Sequence, residues 1–122
     1  MFGGIAMLTI KKFTRIAEEC GFKVDGPYSN DDGSRYIEIS QYTPAGEDWN
    51  ETIDFNKVGE IEDKVYEFYE NWDSDEEAEI WIGQRGTRGV PDSIQVILDD
   101  QKWKENKLKE LNNKLTEEIK KH

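Results

Sequence analysis

One cysteine, one histidine and three prolines are all that these 122 residues hold of those types. The single thiol, Cys20, excludes an internal disulfide and any multi-cysteine zinc site. The only histidine is His122, the last residue, so neither a Ser-His-Asp nor a Cys-His arrangement has a base to use. Apolar residues are scarce, at 35% with a mean hydropathy of −0.87. No run approaches the roughly 18 apolar residues of a membrane span. The leader Met1-Phe2-Gly3-Gly4-Ile5-Ala6 has no basic region and too short an apolar stretch for a signal peptide. Positive charge is scarce as well. Sixteen Lys and Arg face 27 Asp and Glu, a net charge of −11, which argues against direct nucleic-acid binding because phosphate contacts draw on Lys and Arg. The expected setting is cytosolic.

Four Trp, five Tyr and five Phe are still enough for a small core, and the length suits one domain over residues 1–122. A start at Met7 would make the first six residues a flexible leader. Thr9 to Cys20 reads as a helix: Thr9 is suited to cap it, Ile10, Phe13, Ile16, Ala17 and Cys20 form one stripe, and Gly21 fits the left-handed residue that follows. Phe22-Lys23-Val24 alternates as a short strand, after which Asp25-Gly26-Pro27 and Ser29 to Ser34 carry turn chemistry. Tyr36–Tyr42 and Trp49–Phe55 alternate too, with Ile37 and Ile39 on one face and Trp49, Ile53 and Phe55 in phase. Glu60 to Trp72 is helical, with Ile61, Val65, Phe68 and Trp72 aligned. Asp73 or Ser74 caps another helix running through Gln84, with Ala78 and Trp81 inward. Gly83 to Gly89 reads as a loop, and Pro91 opens a long last helix bearing Ile94, Ile97, Leu98, Leu108, Leu111, Leu115 and Ile119. Its length suggests a break near Gln101 or projection of residues 101–122 beyond the domain. The fold class is α+β: an N-terminal helix, a three-stranded antiparallel sheet, and C-terminal helices packed on one face.

Recognised chemistry is sparse. Cys20 ends an apolar stripe and reads as a buried structural thiol. Gly83, Gly86 and Gly89 match neither dinucleotide nor P-loop spacing. An EF-hand aligned on Gly33 puts Tyr28 first and Ile39 twelfth, where carboxylates are required. No spacing singles out a carboxylate pair for acid–base work. No catalytic residue, metal site or cofactor is expected. Arg85 and Arg88 in the glycine loop form a candidate anion clamp, or simply offset neighbouring acids. Tyr36, Tyr42 and Trp49 are candidates for an exposed aromatic patch.

Charge is the strongest signal. Residues 38–79 hold fifteen acids and two lysines, a local net of −13, while residues 101–122 carry +3. Glu60, Asp63, Glu67 and Glu70 fall on one helical stripe opposite the apolar one. Four carboxylates over about 15 Å approach the spacing of about 3.4 Å between charges along a DNA strand. Glu47, Asp48 and Glu76 extend this candidate partner-binding face, with Asp75, Glu77 and Glu79 beside them. One reading is a surface that engages a basic groove; the other is a solubilising face. The Lys/Leu helix near the end either packs on the sheet or forms a homodimer seam.

Tyr36-Ile37-Glu38-Ile39-Ser40-Gln41-Tyr42-Thr43-Pro44-Ala45-Gly46-Glu47-Asp48 resembles a family of small, acidic, uncharacterised proteins of phages and mobile elements of Gram-positive bacteria. Tyr69-Glu70-Asn71-Trp72-Asp73, Glu77-Ala78-Glu79-Ile80-Trp81-Ile82 and Gly89-Val90-Pro91-Asp92-Ser93-Ile94 extend the resemblance over roughly residues 36–100. The resemblance implies a setting inside a bacterial host cell and a non-enzymatic role against host defence, as in anti-CRISPR or anti-restriction proteins. The expected partner is a host protein with a basic surface. Self-association without mimicry, or ligand binding or hydrolysis at the Arg85/Arg88 loop, are the alternatives.

Overall fold

A computed structural model describes residues 8–83 and 94–120. The leader, the arginine loop, Pro91 and His122 lie outside them. The elements run α1 (Ile10–Glu19), β1 (Lys23–Ser29), β2 (Arg35–Tyr42), β3 (Asp48–Phe55), α2 (Glu60–Glu70), α3 (Ser74–Gly83) and α4 (Ile94–Lys120). This is the expected α+β order.

Local chemistry sets the ends of α1. Thr9 is extended, and its Oγ1 accepts from the Lys12 N–H at 3.1 Å. At the other end Gly21 takes φ +90° and donates to the Glu18 carbonyl, while the Phe22 N–H reaches the Ala17 carbonyl. That pair of bonds is a Schellman motif, and it delivers Phe22 into the core beside Ala17.

The sheet is a meander in the order β1-β2-β3, antiparallel throughout. β1 is longer than its sequence suggests. It continues through Asp25-Gly26-Pro27, which read as a turn, because a register shift between Asp25 and Tyr28 absorbs the proline. An edge strand tolerates a residue without an N–H, since one side of its ladder is unpaired anyway. β2 and β3 pair from Arg35↔Phe55 to Tyr42↔Asp48. Their connection closes with Thr43 N–H to the Glu47 carbonyl, and Thr43 Oγ1 accepts from the Glu47 N–H.

Ile37, Ile39, Trp49, Ile53 and Phe55 line the buried sheet face, against Phe13, Ile16 and Ala17 of α1, Ile61 and Val65 of α2, and Leu108, Leu111 and Leu115 of α4. A second cluster joins Ala78 and Trp81 of α3 to Ile97 of α4. α4 runs unbroken for 27 residues, without the expected break near Gln101, and its leucines are spent in the core instead of projecting. Those leucines are also what a homodimer seam would need. Ile94, expected inward, is 58% exposed, whereas Ile97 one turn on is buried with Ala78 and Trp81. No helix among the described residues is long and apolar enough to cross a membrane.

Candidate functional site

Buried positions along α4 fall at Ile97, Asp100, Gln101, Lys104, Leu108, Leu111 and Leu115, in steps of three and four apart from the adjacent pair Asp100 and Gln101. That is the inward stripe of an amphipathic helix. Three of its seven members are polar, Asp100, Gln101 and Lys104, and these separate the small α3 cluster from the main core. Gln101 is 1% exposed and Lys104 4%. Above them β3 makes a matching departure. Trp49, Glu51, Ile53 and Phe55 share the inner phase of the strand, so Glu51 stands where the pattern calls for an apolar side chain.

The consequence is a cleft between β3, the start of α3 and the polar stretch of α4. One concavity of about 350 Å³ is lined by Glu47, Asp48, Glu51 and Glu77 over Trp49, Trp72, Gln101 and Lys104. A second, of about 420 Å³, is lined by Glu51, Glu67, Asp73, Glu76 and Glu77. Glu51, Trp72 and Glu77 belong to both, so the two form one groove lined, among the described residues, by seven carboxylates and one cation.

Each wall has an identifiable anchor. The Ala45 N–H donates to Asp100 Oδ1 at 3.1 Å, tying the β2–β3 connection to α4 and bringing Glu47 to Lys104. Glu47 and Lys104 form an ion pair whose side chains are 11% and 5% exposed. The Lys104 ammonium also lies 5.7 Å and 5.6 Å from the ring centres of Trp49 and Trp72, within cation–π range. Trp72 Nε1–H donates to the Gln101 carbonyl at 3.1 Å. Asp73, not Ser74, caps α3, accepting from the Asp75 and Glu76 N–H groups; Ser74 is buried and donates to Glu105 instead. Burial, above all, pushes the Glu51 carboxyl above the usual carboxylate range, although the Trp49 Nε1–H bond at 2.9 Å and the Lys104 charge pull the other way.

Of the acids named from sequence, Asp48, Glu67 and Glu76 meet on this groove as exposed groups. Asp63 and Glu70 are exposed on the outer side of α2, and Glu60 accepts from the Asn56 N–H at the start of that helix. Glu47 departs from the expectation of an open acidic face: it is largely buried and neutralised by Lys104. Trp49 likewise belongs to the core at 4% exposure, whereas Tyr42 is 72% exposed and Tyr36 intermediate, so no aromatic patch of the three forms. Arg85 and Arg88 lie outside the described residues. Among the described residues no cluster of three His, Cys, Asp or Glu is placed to hold a metal ion. Glu51, Gln101 and Lys104 do not stand out in the sequence, although each interrupts an apolar periodicity and that interruption is the signal.

Cys20 is 1% exposed, and burial, aided by the negative charge of Glu110, pushes its thiol to about 11. With an unfolded thiol near 8.5, alkylation at pH 8 is expected to run roughly two hundredfold slower in the native chain than in urea, and to quicken as the pH climbs towards 11. A thiol-reagent time course checks this; equal native and unfolded rates contradict the burial.

No protein-family model matches the chain, and neither a curated protein nor a solved structure matches it.

Proposed function

We propose that the protein is a non-enzymatic binding module whose acidic groove engages a basic surface of another protein. The observation that carries this reading is the convergence of β3, α2 and α3 on one concave surface, where Asp48, Glu51, Glu67, Asp73, Glu76 and Glu77 gather and Lys104, the one cation lining it among the described residues, is paired with Glu47. Dispersed surface acids would merely solubilise. Carboxylates gathered in a recess have overlapping fields and low-dielectric walls, which raise the local concentration of a cationic partner and steer its approach. Asp63 and Glu70, exposed on α2, add a second row of charge outside the groove. The resemblance to small acidic proteins of phages suggests the partner: a host nucleic-acid-handling or defence protein whose basic groove normally takes DNA or RNA, as with anti-CRISPR or anti-restriction proteins.

The test uses a labelled oligolysine peptide and a basic DNA-binding domain carrying a labelled duplex. The intact chain is expected to bind the peptide and displace the duplex, with both effects fading between about 0.05 M and 0.5 M salt as screening shortens from roughly 14 Å to 4 Å. Glu67→Gln together with Glu76→Gln is expected to weaken peptide binding by about tenfold, a loss of about 1.4 kcal/mol. Binding indifferent to salt and to these substitutions would overturn a charge-led contact.

A further inference from the structure

Gln101 has no reason to be polar on packing grounds. It stands on the inward stripe of α4, is 1% exposed, and lines the first concavity, yet neither Oε1 nor Nε2 has a hydrogen-bond partner. A buried amide left unpaired costs roughly 1–3 kcal/mol per group, and a leucine at this point of the stripe would carry no such cost. The amide is therefore an unused acceptor and donor, in the lining of the concavity that Glu51 and Glu77 also line.

We propose that this concavity is a socket for an arginine side chain of the basic partner, the guanidinium donating to Gln101 Oε1 and to the carboxylates of Glu51 and Glu77. The proposal rests on the groove reading above and adds which cation the groove selects. A compact ammonium suits the space between Trp49 and Trp72, but Lys104 already fills it. What stays unpaired is the buried Gln101 amide, in a concavity that the carboxylates of Glu51 and Glu77 also line. A guanidinium, with five N–H donors in one plane, can use an amide oxygen and two carboxylates at once, whereas an ammonium is a point charge with three. Each carboxylate has about four acceptor sites, so it can also take the Gln101 Nε2–H bond while holding the guanidinium. Glu51 is suited to the part. Its inner-face position desolvates it, its Oε2 is fixed by Trp49 Nε1–H, and a second cation would relieve the cost of keeping its charge. A divalent metal fits less well, since no cluster of three metal ligands exists among the described residues.

The experiment titrates the intact, ¹⁵N-labelled chain with N-acetyl-arginine-N-methylamide and, separately, with its lysine counterpart. The arginine probe is expected to shift the Gln101 side-chain amide and the Trp49 indole N–H signals, and to bind about tenfold tighter than the lysine probe, the worth of one charge-assisted hydrogen bond. Gln101→Leu is expected to remove that preference. Equal affinity for the two probes, or shifts confined to residues away from the cleft, overturns the socket. If oligolysine binds while the arginine probe does not, the socket falls and the groove stands; if neither binds, both fall. Should Gln101→Leu fail to fold, the shift map and probe preference of the unaltered chain decide.

Discussion

A chain ending at Asp100 is expected not to fold. The missing part of α4 carries Leu108, Leu111 and Leu115, each 0% exposed and each in contact with the cluster that joins the sheet to α1 and α2. Truncating one buried leucine to alanine costs about 2–5 kcal/mol, so three together amount to roughly 6–15 kcal/mol. That range matches the whole stability of a typical domain, about 5–15 kcal/mol. The loss also strips Lys104 from Glu47 and uncovers Trp49, whose ring packs against Trp103. Circular dichroism in the near and far ultraviolet separates the outcomes: a truncated chain with native aromatic signals would show that the last helix is an appendage. The graded version is Leu111→Ala, expected to lower stability by about 2–5 kcal/mol in urea unfolding at unchanged slope.

How the sequence announces the fold, and where it misleads, follows from the range of the forces involved. Capping and periodicity act over a few residues. Thr9, Gly21 and the alternation of Ile37 and Ile39 can therefore be read directly, and β2, β3, α1 and α2 stand within a residue or two of their expected bounds. Pro27 misleads because its effect depends on whether β1 is an edge strand, which is a property of the sheet and not of the tripeptide. The candidate site is harder. The stripe Glu60, Asp63, Glu67 and Glu70 is legible because helical spacing alone defines it. Concavity arises only when α3 is laid across α4, and that packing puts Glu67 and Glu76 on a common surface while leaving Asp63 outside.

The gap between Leu98 and Leu108 is the instructive case. Read as a lapse in the apolar pattern, it implies a broken or projecting helix. In the fold the same residues hold their phase: Gln101 and Lys104 keep the inward positions and change only the chemistry presented there. Both flanking clusters fix the helix, Ile97 with Trp81 on one side and Leu108 with the sheet on the other, so a polar layer can sit between them without the helix breaking. Local conflict with the expected pattern is what a functional surface looks like when the rest of the chain supports it.

Lys104 gives the sharpest test of that layer. Lys104→Met keeps the bulk of the side chain and removes the ammonium from a site where it is 5% exposed and paired with a Glu47 side chain 11% exposed. Breaking a buried pair from one side is expected to cost about 3–5 kcal/mol, because the remaining carboxylate keeps its desolvation and loses the Lys104 charge. The double variant Lys104→Met with Glu47→Gln is expected to recover much of the loss, since the desolvated carboxylate is then removed together with the ammonium. Urea midpoints of the four chains form a double-mutant cycle, and additive effects would show that the pair is not coupled. Binding should move the opposite way from stability. With the Lys104 ammonium gone the first concavity becomes more negative, so wherever the single variant remains folded its affinity for oligolysine is expected to rise, most clearly at low salt. A variant that loses stability and affinity together would mean that Lys104 holds the groove open as well as balancing Glu47, and would reassign it from counter-charge to scaffold.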